Sequence, residues 1–344
     1  MQSFKQRRLA WLSVILAFGV VVAACGGDDD DAGADTGTEE DGGESGGASG
    51  SINVSGSSTV EPISSLAAEA FMGENDSVDI AVDGPGTGDG FELFCNGETE
   101  ISDASRAIKD EEIAACEAGG VEYVELQVAY DGMAVMTSVD NDQVECVNFA
   151  DLYALTGPEA EGIGTWADAA AVAGELGSTT ELPDAELALT GPGTESGTYD
   201  SFVEIALEGF AEERGQEATT RTDYASSADD NTIIANIEAS PTSLGWVGFA
   251  FAENAGDTVR SLAVSEEPGG DCVEPSAETI SDGSYPLSRP LFIYVNKAKA
   301  EENAALAEFV DFYLENLTEF VEEGGYVTMP DDQVEATSTA WSDR

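Results

Sequence analysis

From residue 51 onward, short apolar segments alternate with amphipathic stretches along this chain. Ser51–Ser55 (SINVS) alternates as a strand does, and between Thr59 and Met72 the residues Ala67, Ala68 and Phe71 share one face of a helix. Val78–Val82 reads as a second strand running into a glycine-rich turn. Glu122–Met136 is a long β-rich stretch, interrupted at Asp131-Gly132, with the reach to carry the chain between two lobes. Leu187–Thr190 reads as a strand followed by a helix from about Tyr199 to Leu207. Ile233–Ile237 reads as helical, Gly245–Phe251 as a buried strand and Leu291–Val295 as strongly β. The clearest amphipathic helix spans Ala300–Glu322, where Leu306, Phe309, Val310, Phe312, Tyr313 and Leu317 are spaced for burial. Strands alternating with helices predict an α/β chain with a parallel or mixed sheet and ligands at strand C-terminal ends.

Four of the strand-to-helix junctions share a composition: Gly56–Thr59 (GSST), Gly86–Gly90 (GTGDG), Gly191–Thr198 (GPGTESGT) and Ala225–Asn231 (ASSADDN). Each would present free backbone N–H groups and small hydroxyls at a helix N-terminus, an arrangement that suits an oxyanion.

The N-terminus belongs to targeting rather than fold. Lys5, Arg7 and Arg8 precede an apolar run, Leu9–Ala24, that ends in Val22-Ala23-Ala24-Cys25. A basic start, a short apolar core and small residues at the break make residues 1–24 a secretory signal peptide, too short and abruptly ended for a membrane span. Small residues directly before a cysteine resemble a lipoprotein lipobox, which would make Cys25 the lipidated first residue. From Gly26 to Gly50 the chain is Gly, Asp, Glu, Ala, Ser and Thr without a large apolar residue. Residues 25–50 therefore read as the lipidated cysteine and a disordered acidic tether, with a reach of about 25–30 Å.

The remaining residues, 51–344, suffice for two lobes with cores of their own. Their four cysteines, Cys95, Cys116, Cys146 and Cys272, form an even set in an exported chain and predict two disulfides. Three pairings are possible; neighbouring positions favour Cys95–Cys116 and Cys146–Cys272. The competing zinc reading lacks both a C-x-x-C spacing and any histidine.

The formal charge is −57, and cleavage of the signal leaves nine basic residues against 69 acidic ones. Such a surface excludes nucleic-acid binding and adhesion to anionic lipid, and is a solubility adaptation suited to a salty habitat. An anion site here must work through local dipoles and a few placed cations.

Hydrolase and nucleotide readings both fail on specifics. Ser196 lacks the flanking glycines of a G-x-S-x-G elbow, and a chain without histidine cannot build a Ser-His-Asp triad. The Gly86–Gly90 turn misplaces the third glycine of G-x-G-x-x-G, and no Walker-type loop exists. Among the few cations, Arg106 follows Ile101–Ser105, where its guanidinium would grip two oxygens of an anion. Arg221 and Arg289 are weaker candidates that would bridge lobes.

Seven segments stand in order: GSSTV (56–60), GTGDGF (86–91), ISDASR (101–106), AYDG (129–132), GPGTESGT (191–198), ADDN (228–231) and PLSRPLF (286–292). Together they resemble the PstS-type phosphate-binding lipoproteins of bacterial phosphate ABC importers, over about Ser51 to the C-terminus. The resemblance implies a type II periplasmic-binding-protein-like α/β fold with a mixed sheet flanked by helices in each lobe and two crossover strands. Lobe I would comprise residues 51–132 and 295–344, and lobe II residues 133–294. Phosphate would sit dehydrated between them, held by Ser58, Thr59 and the Val60 N–H, by Thr87, by Ser105 and Arg106, and by Ser196, Gly197 and Thr198.

This chain departs from the resemblance at two points. Pro192, Gly193 and Thr194 replace an arginine and an aspartate carried by some members, which leaves the cationic role to Arg106. Ser105 stands where some have the aspartate that accepts the phosphate proton. A carboxylate that accepts this proton would repel sulfate, which has none to give. Asp230 is the first choice for that acceptor, ahead of Asp229, Asp89, Asp103 and Glu195, whose ordinary roles would be helix capping or solvation. The resemblance implies a monomeric receptor, not an enzyme, lipid-anchored outside the cell membrane, needing no cofactor or metal and partnered by a membrane permease. Another oxyanion, sulfate or molybdate, is the alternative ligand; a secreted phosphate-ester hydrolase is the alternative activity.

Overall fold

The computed structural model describes residues 49–344. The expected signal peptide, Cys25 and all but the end of the tether lie outside the described residues.

Ile52 and Val54 point into the core from β1 (Gly50–Gly56), which pairs in parallel with β2 (Val78–Asp83) on one side and β3 (Ile101–Ala104) on the other. The intervening α1 (Glu61–Glu74) buries Ile63, Ala67, Ala68 and Phe71, the face that the spacing predicts. α2 (Thr87–Cys95) packs so tightly on β1 that a Cβ on Gly90 would lie 2.4 Å from the Gly56 Cα. α3 (Asp110–Gly119) follows β3, and the Cys95–Cys116 disulfide ties α2 to it.

The long strand β4 (Tyr123–Ser138) is continuous through Asp131-Gly132, where the sequence pattern predicts an interruption. Both residues have ladder partners, and Gly132 is small because Ile280 packs on it, 2.6 Å from where a Cβ would stand. The remaining strands are β5 (Cys146–Asn148), β6 (Ala188–Gly191), β7 (Ala225–Ser226), β8 (Ser243–Gly248), β9 (Val259–Ser261), β10 (Ala263–Ser265) and β11 (Ser288–Asn296). One nine-stranded mixed sheet runs in the order β2-β1-β3-β11-β4-β8-β6-β7, with β9 also on β4. Its two halves hang from successive stretches of β4: Tyr123–Gly132 pairs with β11, and Met133–Met136 with β8. The chain crosses between halves on β4 and returns along β11. The expected lobe change between residues 294 and 295 falls inside β11, which pairs with β3 and β4 without a break from Phe292 to Val295.

Three element boundaries differ from the sequence pattern. The apolar run Gly245–Phe251 is strand only to Gly248, and Phe249 opens a helix, a distinction that an all-apolar segment does not encode. The helix expected from Tyr199 begins at Gly197, with the Ser196 hydroxyl accepting the Thr198 N–H at 3.2 Å, and passes through a π-helical turn, Val203–Leu207. Ala300–Glu322 is three helices, Lys297–Glu302, Ala304–Glu315 and Leu317–Glu323, joined at Asn303 and Asn316. Asn303 leaves helical geometry, and its side chain caps the second helix at Ala305 N–H, 3.1 Å away. The second disulfide joins Cys146 to Cys272, bracing the small β5–β10 sheet.

Candidate functional site

The first anion-type turn is built on a glycine that nothing else can replace. Gly56 has φ 152°, and a Cβ there would lie 2.0 Å from the Asp103 carbonyl oxygen, to which Ser57 N–H donates at 2.9 Å. The Ser57 carbonyl accepts the Val60 and Glu61 N–H groups at 3.1 and 3.0 Å, and Val60 is fully buried. The Val60 N–H, expected to face the ligand, is thus taken up within the turn. Ser58 and Thr59 instead reach the other lobe: Ser58 Oγ donates to Asp200 at 2.8 Å, and Thr59 Oγ1 lies 3.2 Å from Ser201 Oγ.

The second turn brings Thr87 and Ser105 together, with the Ser105 N–H donating to Thr87 Oγ1 at 3.2 Å and the two hydroxyls 3.0 Å apart. Both line a cavity of about 640 Å³ whose walls come from α2, from the Ser105–Lys109 segment, from Glu204 and Glu208 of the opposite lobe, and from Arg289. Arg106 borders it too, but its guanidinium is held bidentately by Glu112, at 2.8 and 2.7 Å, beside the Phe91 ring.

The third turn faces the first. A Cβ on Gly197 would come within 3.4 Å of the Thr59 Cα, so the Ser58–Thr59 and Ser196–Thr198 turns meet across the lobes. Ser196, Gly197 and Thr198 also line a second cavity, about 250 Å³, together with Asp131, Asp230 and Tyr326.

Between the two cavities sits Arg289. Its Nη2 donates to Thr59 Oγ1 at 3.1 Å and to Ser201 Oγ at 2.7 Å, its Nη1 pairs with Glu204, and its Nε lies 3.5 Å from Asp131 Oδ2. Asp131 is almost wholly buried; burial pushes its carboxyl up and Arg289 pulls it back. Sequence reasoning ranks Arg289 behind Arg106, although both Asp131 and Arg289 lie in segments singled out by their motifs. The missed signal is that AYDG and SRPL would stand opposite one another if two crossing strands paired.

Residues 42–316 match the family model described as a PBP superfamily domain. The chain is 39% identical to the protein SphX of Synechocystis over 82% of this chain and 79% of that protein. It is 32% identical to the phosphate-binding protein PstS of Staphylococcus saprophyticus over 90% of this chain and 86% of that one. The crystal structure of a possible phosphate binding protein from Planctomyces limnophilus matches with TM-score 0.78 and 36% identity, over 86% of this chain and 99% of the other. The chain belongs to the PstS-type phosphate-binding proteins. The fold likeness extends to a phosphate transport receptor from Vibrio cholerae, TM-score 0.57 at 22% identity.

In this PstS-type chain the remaining candidates divide by environment. Asp229 caps the helix Asp230–Glu238: its carboxylate accepts the Asn231 N–H at 3.0 Å and the Thr232 hydroxyl at 3.2 Å, which hold its pKa down. It performs the capping role and does not line the cavity beside Ser196. Asp230 does line it, half-buried, and burial pushes its carboxyl up. Asp89 borders the larger cavity, and Glu195 folds back toward Gly193. Asp103 is fully buried beneath the first turn, one oxygen accepting the Ser64 hydroxyl at 3.0 Å. Arg221 is structural: its guanidinium grips Asp223 and the Ile163 carbonyl.

Proposed function

We propose that this protein is an extracytoplasmic receptor that captures inorganic phosphate in the interlobe cleft and delivers it to the permease of an ABC importer. One observation carries the reading: in a chain of formal charge −57, the hydroxyl-bearing turn at Thr59 and the helix that follows the Ser196–Thr198 turn, through Ser201, converge on one arginine, Arg289, at a cleft. Hydroxyls and an arginine supply donors to phosphate oxygens in the geometry that oxyanions favour. Ser58, Thr59, Thr87 and Ser105 would donate from one lobe and Ser196, Gly197 and Thr198 from the other, with Arg106 and Arg289 supplying charge. Asp230, which faces Ser196–Thr198, would accept the proton of monohydrogen phosphate and so disfavour sulfate. Binding work is hinge closure with no covalent step. Upstream, Cys25 would carry the lipid that holds a monomeric receptor at the outer face of the membrane.

Calorimetry on the purified protein tests this reading. Phosphate is expected to bind tightly, sulfate weakly or not at all, and the Arg106→Ala variant about tenfold more weakly than the parent. Equal response to sulfate and phosphate would move the ligand to another oxyanion. Turnover of a chromogenic phosphate ester would instead make the protein a hydrolase.

A further inference from the structure

Both arginines that border the larger cavity already hold a carboxylate of this chain. Arg106 is paired with Glu112, and Arg289 with Glu204. An anion entering the cleft therefore meets both guanidiniums already paired, and to bind either arginine it must take the place of one of these carboxylates.

The two pairs are not equally replaceable. Glu112 accepts both Arg106 amino groups and also the Lys109 backbone N–H at 2.8 Å, and its side chain is only 14% exposed. It stands in the first turn of α3, where the helix dipole favours a negative charge. Glu204 has one side-chain partner among the described residues, Arg289, and its side chain is 50% exposed. It comes from the π-helical turn Val203–Leu207 of the opposite lobe, a local irregularity that recurs at functional sites. Behind Arg289, Thr59 and Ser201 hold Nη2 by hydrogen bonds and the Asp131 carboxylate lies 3.5 Å from Nε without a hydrogen bond, so loss of Glu204 would leave the guanidinium aimed at the cavity with Nη1 free.

We propose that Glu204 is an internal surrogate for the ligand: a carboxylate that occupies Arg289 in the empty receptor and is displaced when phosphate binds. The inference rests on the phosphate reading of this cleft and adds a residue that sets the receptor's affinity. Glu204 acts in two ways. It competes for the Arg289 amino group, and it places a negative charge where the anion must arrive. Charge competition of this kind raises the concentration at which the receptor fills without altering the donors that recognise phosphate.

The test is phosphate calorimetry on the full-length chain and on three variants, Glu204→Gln, Glu204→Ala and Glu208→Gln. Glu208 lines the same wall with the same charge but makes no ion pair among the described residues, so it reports the general effect of lost negative charge. Glu204→Gln and Glu204→Ala are expected to bind phosphate about three- to tenfold more tightly than the parent, and Glu208→Gln to gain less than twofold. Unchanged or weaker binding by both Glu204 variants would mean that the pair ties the lobes together, and overturns the proposal. An equal gain in Glu208→Gln would reduce the effect to bulk charge and overturn it as well. A parent that gives no phosphate signal overturns the reading of the cleft and this inference together, whereas a parent that binds beside Glu204 variants that do not tighten overturns the inference alone.

Discussion

Arg289 on β11 is the direct cross-strand partner of Asp131 on β4, at the point where the chain passes from one half of the sheet to the other. The ladder brings an arginine Nε to 3.5 Å from a buried carboxylate oxygen and leaves Nη2 to reach Thr59 and Ser201 and Nη1 to pair with Glu204. The pair thus stands on the two crossing strands, whereas the contacts to Ser201 and Glu204 come from the helical segment that follows the Ser196–Thr198 turn.

Arg289→Ala is expected to abolish measurable phosphate binding, about 100-fold or more in Kd, because it removes a guanidinium that contacts Thr59, Ser201 and the crossover-strand Asp131 together. It also leaves Asp131 buried and unpaired, which should lower stability by about 3 kcal/mol. Arg289→Lys would keep the charge but lose the fork that serves Thr59, Ser201 and Asp131 at once. Parallel calorimetry and urea unfolding check both effects. Retained affinity in the alanine variant would remove Arg289 from the site.

Asp103 gives stability a pH dependence of defined sign. Burial pushes its carboxyl from 3.8 up to about 8, so between these values the folded protein keeps a proton that the unfolded chain releases. Its contribution is complete below about pH 4 and is lost as pH rises through about 8, with a slope of at most about 1.4 kcal/mol per pH unit. Asp103→Asn is neutral at every pH and should flatten that limb in urea unfolding between about pH 4.5 and pH 8.5. A parent-minus-variant difference that does not change with pH would show that Asp103 does not titrate in this range.

Salt should stabilise the fold. With 69 acidic residues against 12 basic ones in the chain, self-repulsion among exposed carboxylates works against the compact state. Raising sodium chloride from about 0.1 M to about 1 M shortens the screening length from about 10 Å to about 3 Å. The thermal midpoint should rise by roughly 5–10 °C. A midpoint that falls or stays level over this range would count against the repulsion account.

The two disulfides should differ in weight. Cys146–Cys272 closes 126 residues and Cys95–Cys116 closes 21. Loop-closure entropy assigns about 5 kcal/mol to the first and about 3 kcal/mol to the second. Paired serine replacements at each bridge, compared by urea unfolding, would reveal the order, and a larger loss at Cys95–Cys116 would reverse it.

Much of the architecture was legible locally. The strands at Ser51–Ser55, Val78–Val82, Leu187–Thr190 and Leu291–Val295 follow from alternation and apolar runs, and the cysteine pairing from neighbourhood. The composition of the four turns pointed to an anion because helix-start chemistry is written in consecutive residues. The break at Asn303 went unread, since its capping competes with an apolar periodicity that runs through it. The sequence by itself determined an α/β chain with helix-start turns suited to an oxyanion and scarce, placed cations. Only the tertiary structure decided which cation stands at their meeting point. Arg289 and Thr59 are 230 residues apart, and Arg289 and Ser201 are 88. Their encounter depends on the register of β11 against β4 and on the closeness of two lobes, and neither quantity is carried by any local run of residues.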